Sequence, residues 1–483
     1  MAVGRENQSG GLWTVVRIEA RNLLAEKTVW AVLALLGAMV GYAAWTGAGS
    51  VAVESQAMAT ALTEQTGRLQ ALRTRLQAIE AGGPAARHDD DPADPALVGG
   101  KLAAQVAVLP PGPLAAVAVG QRDLAPGIVH VTSQGKLKAT GDATLAGPTR
   151  LMTGAFDLAF VFVYLLPLVI IALTYDLLAG ERERGTLALV LAQPVSLATF
   201  VLGKTLQRGL VVSAVTVGLA LLAVAASAHD LTRGDGLLRL GLYLAALVAY
   251  AGFWFAAAVA VNARGQTSAG NALALVGLWL TLVVVVPGIV RVVVQAAYPP
   301  PSRVELVNLT RAAAAEIETE LSALEGKHEA VVTGSDKAVA ATERVVAVQE
   351  ALEKRAAPVL QAFRTQLAAQ QALVDKLRFL SPAIVLHEAL GDVAGTGASR
   401  LQHFAGQVDG FQATWRTYFF TRIHARQKLT SADHATLPRF AFVEETPAVL
   451  GARVGGGIAG LLLPAAVLVG LAGALLRKGT RVF

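Results

Sequence analysis

No cysteine occurs in the 483 residues, which excludes a disulfide framework, a thiolate metal site and a cysteine nucleophile. Charge is scarce as well: 16% of residues are Asp, Glu, Lys or Arg, against 54% apolar, and mean hydropathy is +0.52. An ordinary soluble domain carries about 25% charged residues, so water is the wrong solvent for much of this chain. A net charge of +6 and a pI near 9.6 would suit nucleic acid if the basic residues formed one tract. They are instead scattered over loop ends and amphipathic helices, which argues against that partner. A chain of carboxylates inside the apolar runs is also missing. Asp157 and Asp176 flank one run, and Arg291 sits near the end of another, where its side chain can snorkel, so a proton-driven carrier is not indicated.

What is present is a set of six apolar runs, each near the roughly 20 residues a helix needs to cross a bilayer: 28–46, 155–177, 207–228, 237–261, 269–294 and 447–476. The expected fold is therefore all-α and polytopic. A polar lead of 27 residues is long for a cleaved signal peptide, so the first run is expected to be retained. Within that lead, residues 12–27 space Trp13, Val16, Ala20 and Leu23 as one helical stripe, with Arg17 and Arg21 on another face. This reads as an amphipathic elbow helix over 1–27, anchored at the membrane surface by Trp13, Arg17 and Arg21. Six spans put both termini on one side. Arg5, Lys27, Arg182, Arg184, Lys204, Arg264, Arg477, Lys478 and Arg481 mark that side as cytoplasmic, leaving 477–483 as a cytoplasmic tail.

Two long segments, 47–154 and 295–446, are then expected outside the cell membrane. The first opens with a helix striped by Leu62, Leu69, Leu72, Leu76 and Ile79, breaks at a Pro- and Asp-rich loop, and has minor β content expected within 100–145. The second reads as mainly helical. A hairpin is expected from about Ser302 to Val332 and from Asp336 to Phe379, followed by a stretch over 401–428 whose Phe404, Phe411, Trp415, Tyr418 and Phe419 form core that packs the hairpin to the membrane.

Several candidate chemistries fail on spacing. Gly203-Lys204-Thr205 ends like a phosphate-binding loop, but Ala198 stands where its first glycine is required. The chain therefore has no ATPase site of its own. His88, Asp89, Asp90, Asp91 and Asp94 supply oxygen and nitrogen donors, yet neighbours on a Pro-rich loop rarely converge on one ion, so a solvated acidic loop is favoured over a metal site. His387-Glu388, His403, His424 and His434 lack zinc spacing, and no paired nucleophile points to catalysis.

The most informative segment is cytoplasmic, YDLLAGERERGTLALVLAQPVSLATFVLGKT over 175–205, where the polar bend GERERGT interrupts the apolar pattern over 178–206. Gly185, at the junction of bend and helix, is expected to need a positive φ or close approach to another backbone. Glu181, Glu183, Gly185, Thr186, Leu187, Pro194, Val195, Gly203 and Lys204 resemble the pattern E-x-E-x-G-T-L, then P-V-S, then G-K of permease subunits in type-2 ATP-binding-cassette (ABC) exporters. Flanking stretches, including YPPPSRVE and SPAIVLHEALGDVAGTGASRLQHF, are similar to a subgroup with a large extracytoplasmic insertion, and the resemblance covers nearly the whole chain except the HDDDPAD loop.

That resemblance implies a coupling segment, with Glu181, Glu183, Gly185, Thr186, Leu187 and Pro194, that docks on a separate ATPase subunit. It implies no cofactor on this chain, ATP and Mg on the ATPase, a second permease copy or related permease, and export across a bacterial inner membrane. A rival reading is a membrane-anchored scaffold or sensor whose external helices bind a protein partner. It leaves the coupling motif unexplained, and co-purification of a stoichiometric ATPase would discriminate the two.

Overall fold

The computed structural model describes residues 3–120, 127–134, 136–138, 156–193, 195–227, 231, 234–264, 267–299 and 365–479, with isolated positions between 311 and 362. Among the described residues, six helices are long and apolar enough to cross a membrane. They begin with α1 (Val3–Ala25) leading into α2 (Lys27–Glu80). The second span runs Leu158–Glu183 and contains α3 (Leu166–Thr174) and α4 (Ala179–Glu183). After α5 (Leu187–Leu191) come α6 (Leu197–Ala226) and α7 (Gly236–Asn262). The fifth span joins α8 (Ser268–Trp279) to α9 (Val286–Ala297). Outside the spans follow α10 (Pro382–Ala394), α11 (Ala398–His424) and the short α12 (Ser431–Ala435), and α13 (Pro447–Gly479) closes the bundle.

Buried aromatics at the bundle centre come mainly from α7, where Tyr243, Tyr250 and Trp254 are almost fully enclosed. Two prolines explain the irregular spans. Pro167 and Pro287 each follow a π turn, Val161–Leu165 and Leu280–Val285. Proline has no N–H to give the preceding turn, so carbonyls there need donors from elsewhere. Tyr250 Oη donates to the Val163 carbonyl at 2.7 Å, and Ser381 Oγ donates to that of Leu282 at 2.5 Å. Side chains from neighbouring helices thus complete two broken ladders.

The Ser381 contact also places α10. This 13-residue helix is too short to span, and it enters the bundle between α7 and α13, with Ser381 reaching the midpoint of the fifth span. Small residues make room for it: a Cβ on Gly460 would lie 2.5 Å from the Phe379 ring, and one on Gly457 would touch Val385. Its C-terminal carbonyls, at Asp392 and Val393, accept from Arg239 at 3.2 and 3.1 Å, where a cation suits the helix terminus. Arg453 ties Asp392 (3.1 Å) to Glu445 (2.8 Å). Hydropathy alone does not separate this helix from the external segment around it.

The long α2 carries the first span straight into the domain beyond the spans, about 80 Å of unbroken helix. A three-stranded antiparallel sheet, β1 (Gln105–Val108), β2 (Ile128–Val131) and β3 (Lys136–Lys138) in that order, supplies the minor β content. Leu72 and Leu76 of the expected stripe are buried, whereas Leu62 is exposed. The aromatic stretch over 401–428 is core, and among the described residues it packs on the segment that follows the first span. Trp415 and Phe419 lie against Leu72, Val98 and Ala103 of the segment between the first two spans, and Trp415 Nε1 donates to the Gly99 carbonyl at 3.1 Å. Gly99 has no side chain there because a Cβ would sit 2.5 Å from the Phe419 ring. The hairpin expected from Ser302 to Phe379 falls largely outside the described residues.

Candidate functional site

At the end of the bundle where α13 finishes, the second span unwinds over 175–178 before α4. Unwinding strands two backbone groups, and one side chain serves both. Asn262, buried at the end of α7, donates to the Thr174 carbonyl at 2.9 Å and accepts from the Leu178 N–H at 3.4 Å. Asn271 of α8 donates to the same Asn262 oxygen at 3.2 Å, so the second, fourth and fifth spans meet at one amide. Leucine at 262 would fill the volume, remove the acceptor of the Leu178 N–H and leave the Thr174 carbonyl only the longer 3.4 Å bond from the Leu177 N–H. Asn262→Leu is expected to cost about 1–2 kcal/mol of stability, read as a lowered thermal unfolding midpoint of the purified protein.

Beyond the break, α4 and α5 form an exposed elbow turned at Gly185, whose φ is +73°. Of the two reasons anticipated for that glycine, the positive φ holds. Among the described residues nothing lies within 4 Å of a Cβ built there, so the turn's outer face is open. The Thr186 hydroxyl donates to the Glu181 carboxylate across the turn. Leu187 is half-buried against the cluster formed by Leu178, Leu197, Val259 and Leu476, while Leu189 is 70% exposed. Pro194 lies outside the described residues.

The elbow is wired to the bundle through charge. Lys204, in the second turn of α6 and only 7% exposed, donates to Glu181 Oε1 at 2.7 Å. Its nitrogen also stands 4.0 Å from Glu19 of α1, which is 5% exposed, and 5.1 Å from the Phe200 ring centre. Arg208, one turn on, pairs with Glu19 at 2.8 Å and Asp176 at 3.3 Å. A cavity of about 220 Å³ lies among these groups, lined by Glu19, Asp176, Glu181, Lys204 and Arg208. Glu183 reaches the other way: it accepts from the Ser268 N–H at 2.7 Å and the Ser268 hydroxyl at 2.8 Å, at the start of the fifth span. Glutamates two apart in the motif therefore tie the elbow to different spans.

Glu19, Arg208, Asn262 and Leu189 are the residues that the sequence reading missed. Glu19 carried a signal, since it shares a face with Val16 and Leu23, both buried against α6. Close crossing of the two helices occurs at Gly203, where a Cβ would come 2.7 Å from Val15. Trp13 is off that stripe at 66% exposure, and Arg17 and Arg21 are exposed as well.

The acidic loop uses its carboxylates locally. Asp90 pairs with Arg75, Asp91 accepts from the Ala93 N–H, and Asp94 caps a helical turn through the Ala96 N–H. Among the described residues no group of three or more His, Asp or Glu side chains converges as a metal site.

The chain is 31% identical over 144 residues to a probable ABC transporter permease protein NosY of Pseudomonas aeruginosa, covering 29% of this chain and 49% of the relative. It is 28% identical over 142 residues to the protein of the same name from Stutzerimonas stutzeri, covering 29% of this chain and 51% of the relative. The chain spans about half the length of these relatives. The family model described as ABC-2 family transporter protein matches residues 13–443, nearly the whole chain, in a family whose permeases carry no ATPase site of their own. With six candidate spans and a match of that extent, the chain belongs to the ABC-2 transporter family.

Proposed function

We propose that this chain is the membrane-spanning permease of an ATP-driven exporter, powered by separate ATPase subunits that dock on the elbow over 179–193. The observation that carries this reading is the Glu181–Lys204 pair, which joins the exposed elbow to the third span and, through Glu19, to α1. A rigid handle of this kind passes a push from a docked protein to several spans at once. Exposed Leu189 offers an apolar contact for a partner groove. ATP and Mg belong to the partner, and a second permease, identical or related, completes the pathway. The basic residues at the elbow end favour a cytoplasmic elbow, cytoplasmic termini and an external domain on the opposite face. Trp13, Arg17 and Arg21 hold the surface helix at the lipid interface.

Gly185→Val tests the reading. Valine is strained at φ +73°, at a cost of about 1–3 kcal/mol, while its Cβ meets no atom among the described residues. Normal abundance in membranes is expected together with loss of ATPase co-purification or of transport-linked ATP hydrolysis, while an Asp90→Ala control behaves as wild type. Full recruitment and full hydrolysis in Gly185→Val would remove the coupling role from this turn.

A further inference from the structure

The external domain contains a second cavity that the transport reading does not use. About 390 Å³ in volume, it lies between the outer stretch of α2 and the chain that follows α12. That volume falls in the range of small-molecule sites, about 300–1,000 Å³. Its walls are of two kinds. Leu69, Leu437 and Phe440 give an apolar side, and Arg73 and Arg439 a basic one.

The two arginines stand out by what they lack. Among the described residues neither makes an ion pair or a hydrogen bond, although acidic residues are plentiful nearby. Those acids are committed to other work. Glu80 accepts from the Ser431 N–H at 2.9 Å, Asp90 takes Arg75, and Asp433 takes Arg422 at 3.2 Å and closes the capping box of α12 with Thr430. Burial would raise the Asp433 carboxyl, but Thr430 and Arg422 outweigh it and hold it below the ordinary range. Among the described residues, the two arginines on the cavity wall are thus left unpaired.

A third observation is independent of charge. His434, 7% exposed and on the cavity wall, donates Nε2–H to the Pro92 carbonyl at 2.9 Å. That bond leaves Nδ1 buried and with no partner. A buried polar atom without a partner is costly unless a ligand or its water completes it.

We infer that this cavity binds a small organic anion: a carboxylate held by Arg73 and Arg439 on an apolar body seated against Leu69, Leu437 and Phe440. Lipid headgroups of the chain's own bilayer are out of reach. Residues 62–73 lie about 25–40 Å beyond Thr46 along the helix, so the ligand comes from solution. Free small acids and the C-terminal end of a peptide share this chemistry.

The test uses the full chain in nanodiscs and fluorine NMR, with empty nanodiscs as the blank. 4-Fluorobenzoate is the probe, and 4-fluorobenzamide is its neutral analogue of the same shape. The benzoate is expected to bind at least about tenfold more tightly than the benzamide, and Arg73→Gln/Arg439→Gln to erase that preference with an unchanged unfolding midpoint. N-acetyl-4-fluorophenylalanine separates the two sources: tighter binding than the benzoate assigns a peptide end, weaker binding a free acid. Equal binding of benzoate and benzamide, benzoate binding that survives the double substitution, or no binding of any probe would overturn the site. A lowered midpoint in the double variant shifts the decision to the wild-type preference for the anion, which must still stand.

Discussion

Lys204→Met is expected to cost about 3 kcal/mol in stability and to abolish ATPase recruitment. Removing one partner of a buried ion pair leaves the other charge unpaired, a penalty of about 3–5 kcal/mol. Here the orphan is Glu181, because Glu19 keeps Arg208 at 2.8 Å. The Glu181 side chain is 17% exposed, so water relieves part of the penalty and the lower figure applies. Methionine preserves the packing of the lysine stem beside Phe200, which confines the change to charge. Adding Glu181→Gln removes the orphaned carboxylate, so Glu181→Gln/Lys204→Met should recover most of the lost stability without recovering recruitment. Thermal unfolding in detergent and co-purification of the ATPase read the two effects separately. Additive stability losses in the double variant would mean that the two residues act independently.

Gly47→Ala is expected to destabilise the chain by about 3 kcal/mol, the upper end of over-packing costs. A Cβ at this position would lie 2.2 Å from the Ala116 carbonyl oxygen. Nothing nearby can yield cheaply. The Val119 N–H donates to Asp157 at 2.9 Å, the Ala159 N–H to the Val117 carbonyl at 3.1 Å, and the Thr46 hydroxyl to the Phe156 carbonyl at 2.8 Å. The loop over 114–119 is therefore clamped between the outer ends of the first two spans, and added volume must pry the spans apart. Gly49→Ala is the control with the opposite sign. That position is open, and alanine there gains up to about 1 kcal/mol of helix propensity. Unfolding midpoints that move together for both variants would refute this account of the first span's outer end.

Much of this architecture was legible because it follows from short-range rules. Apolar runs gave the six spans, the Leu72–Leu76 stripe gave the stretch of α2 beyond the first span, and the polar GERERGT bend pointed to the glycine turn. Legibility ended where partners are distant in sequence. Glu181 and Lys204 both stood in the motif, but Glu19 joins them across more than 150 residues, and only tertiary packing reveals that. Nor does hydropathy reveal α10. Its 13 residues include His387, Glu388 and Asp392, which read as external, yet the helix is held among the spans by Ser381 and Arg239. The aromatic face of α11 was read as core, but that Val98 and Ala103 help cover it was not legible, because periodicity identifies a buried face and not what covers it.

The proposal that the exposed elbow is the docking point of a separate ATPase is open to one direct measurement. The native chain has no cysteine, so Leu189→Cys introduces a single thiol at the tip of α5. Thr417→Cys does the same on the exposed face of α11 in the domain beyond the spans. Membranes carrying either variant with its cognate ATPase are treated with a thiol-to-amine cross-linker and the products identified by mass spectrometry. The account predicts a permease–ATPase adduct from Leu189→Cys and none from Thr417→Cys. An adduct from position 417 with none from position 189 would contradict it.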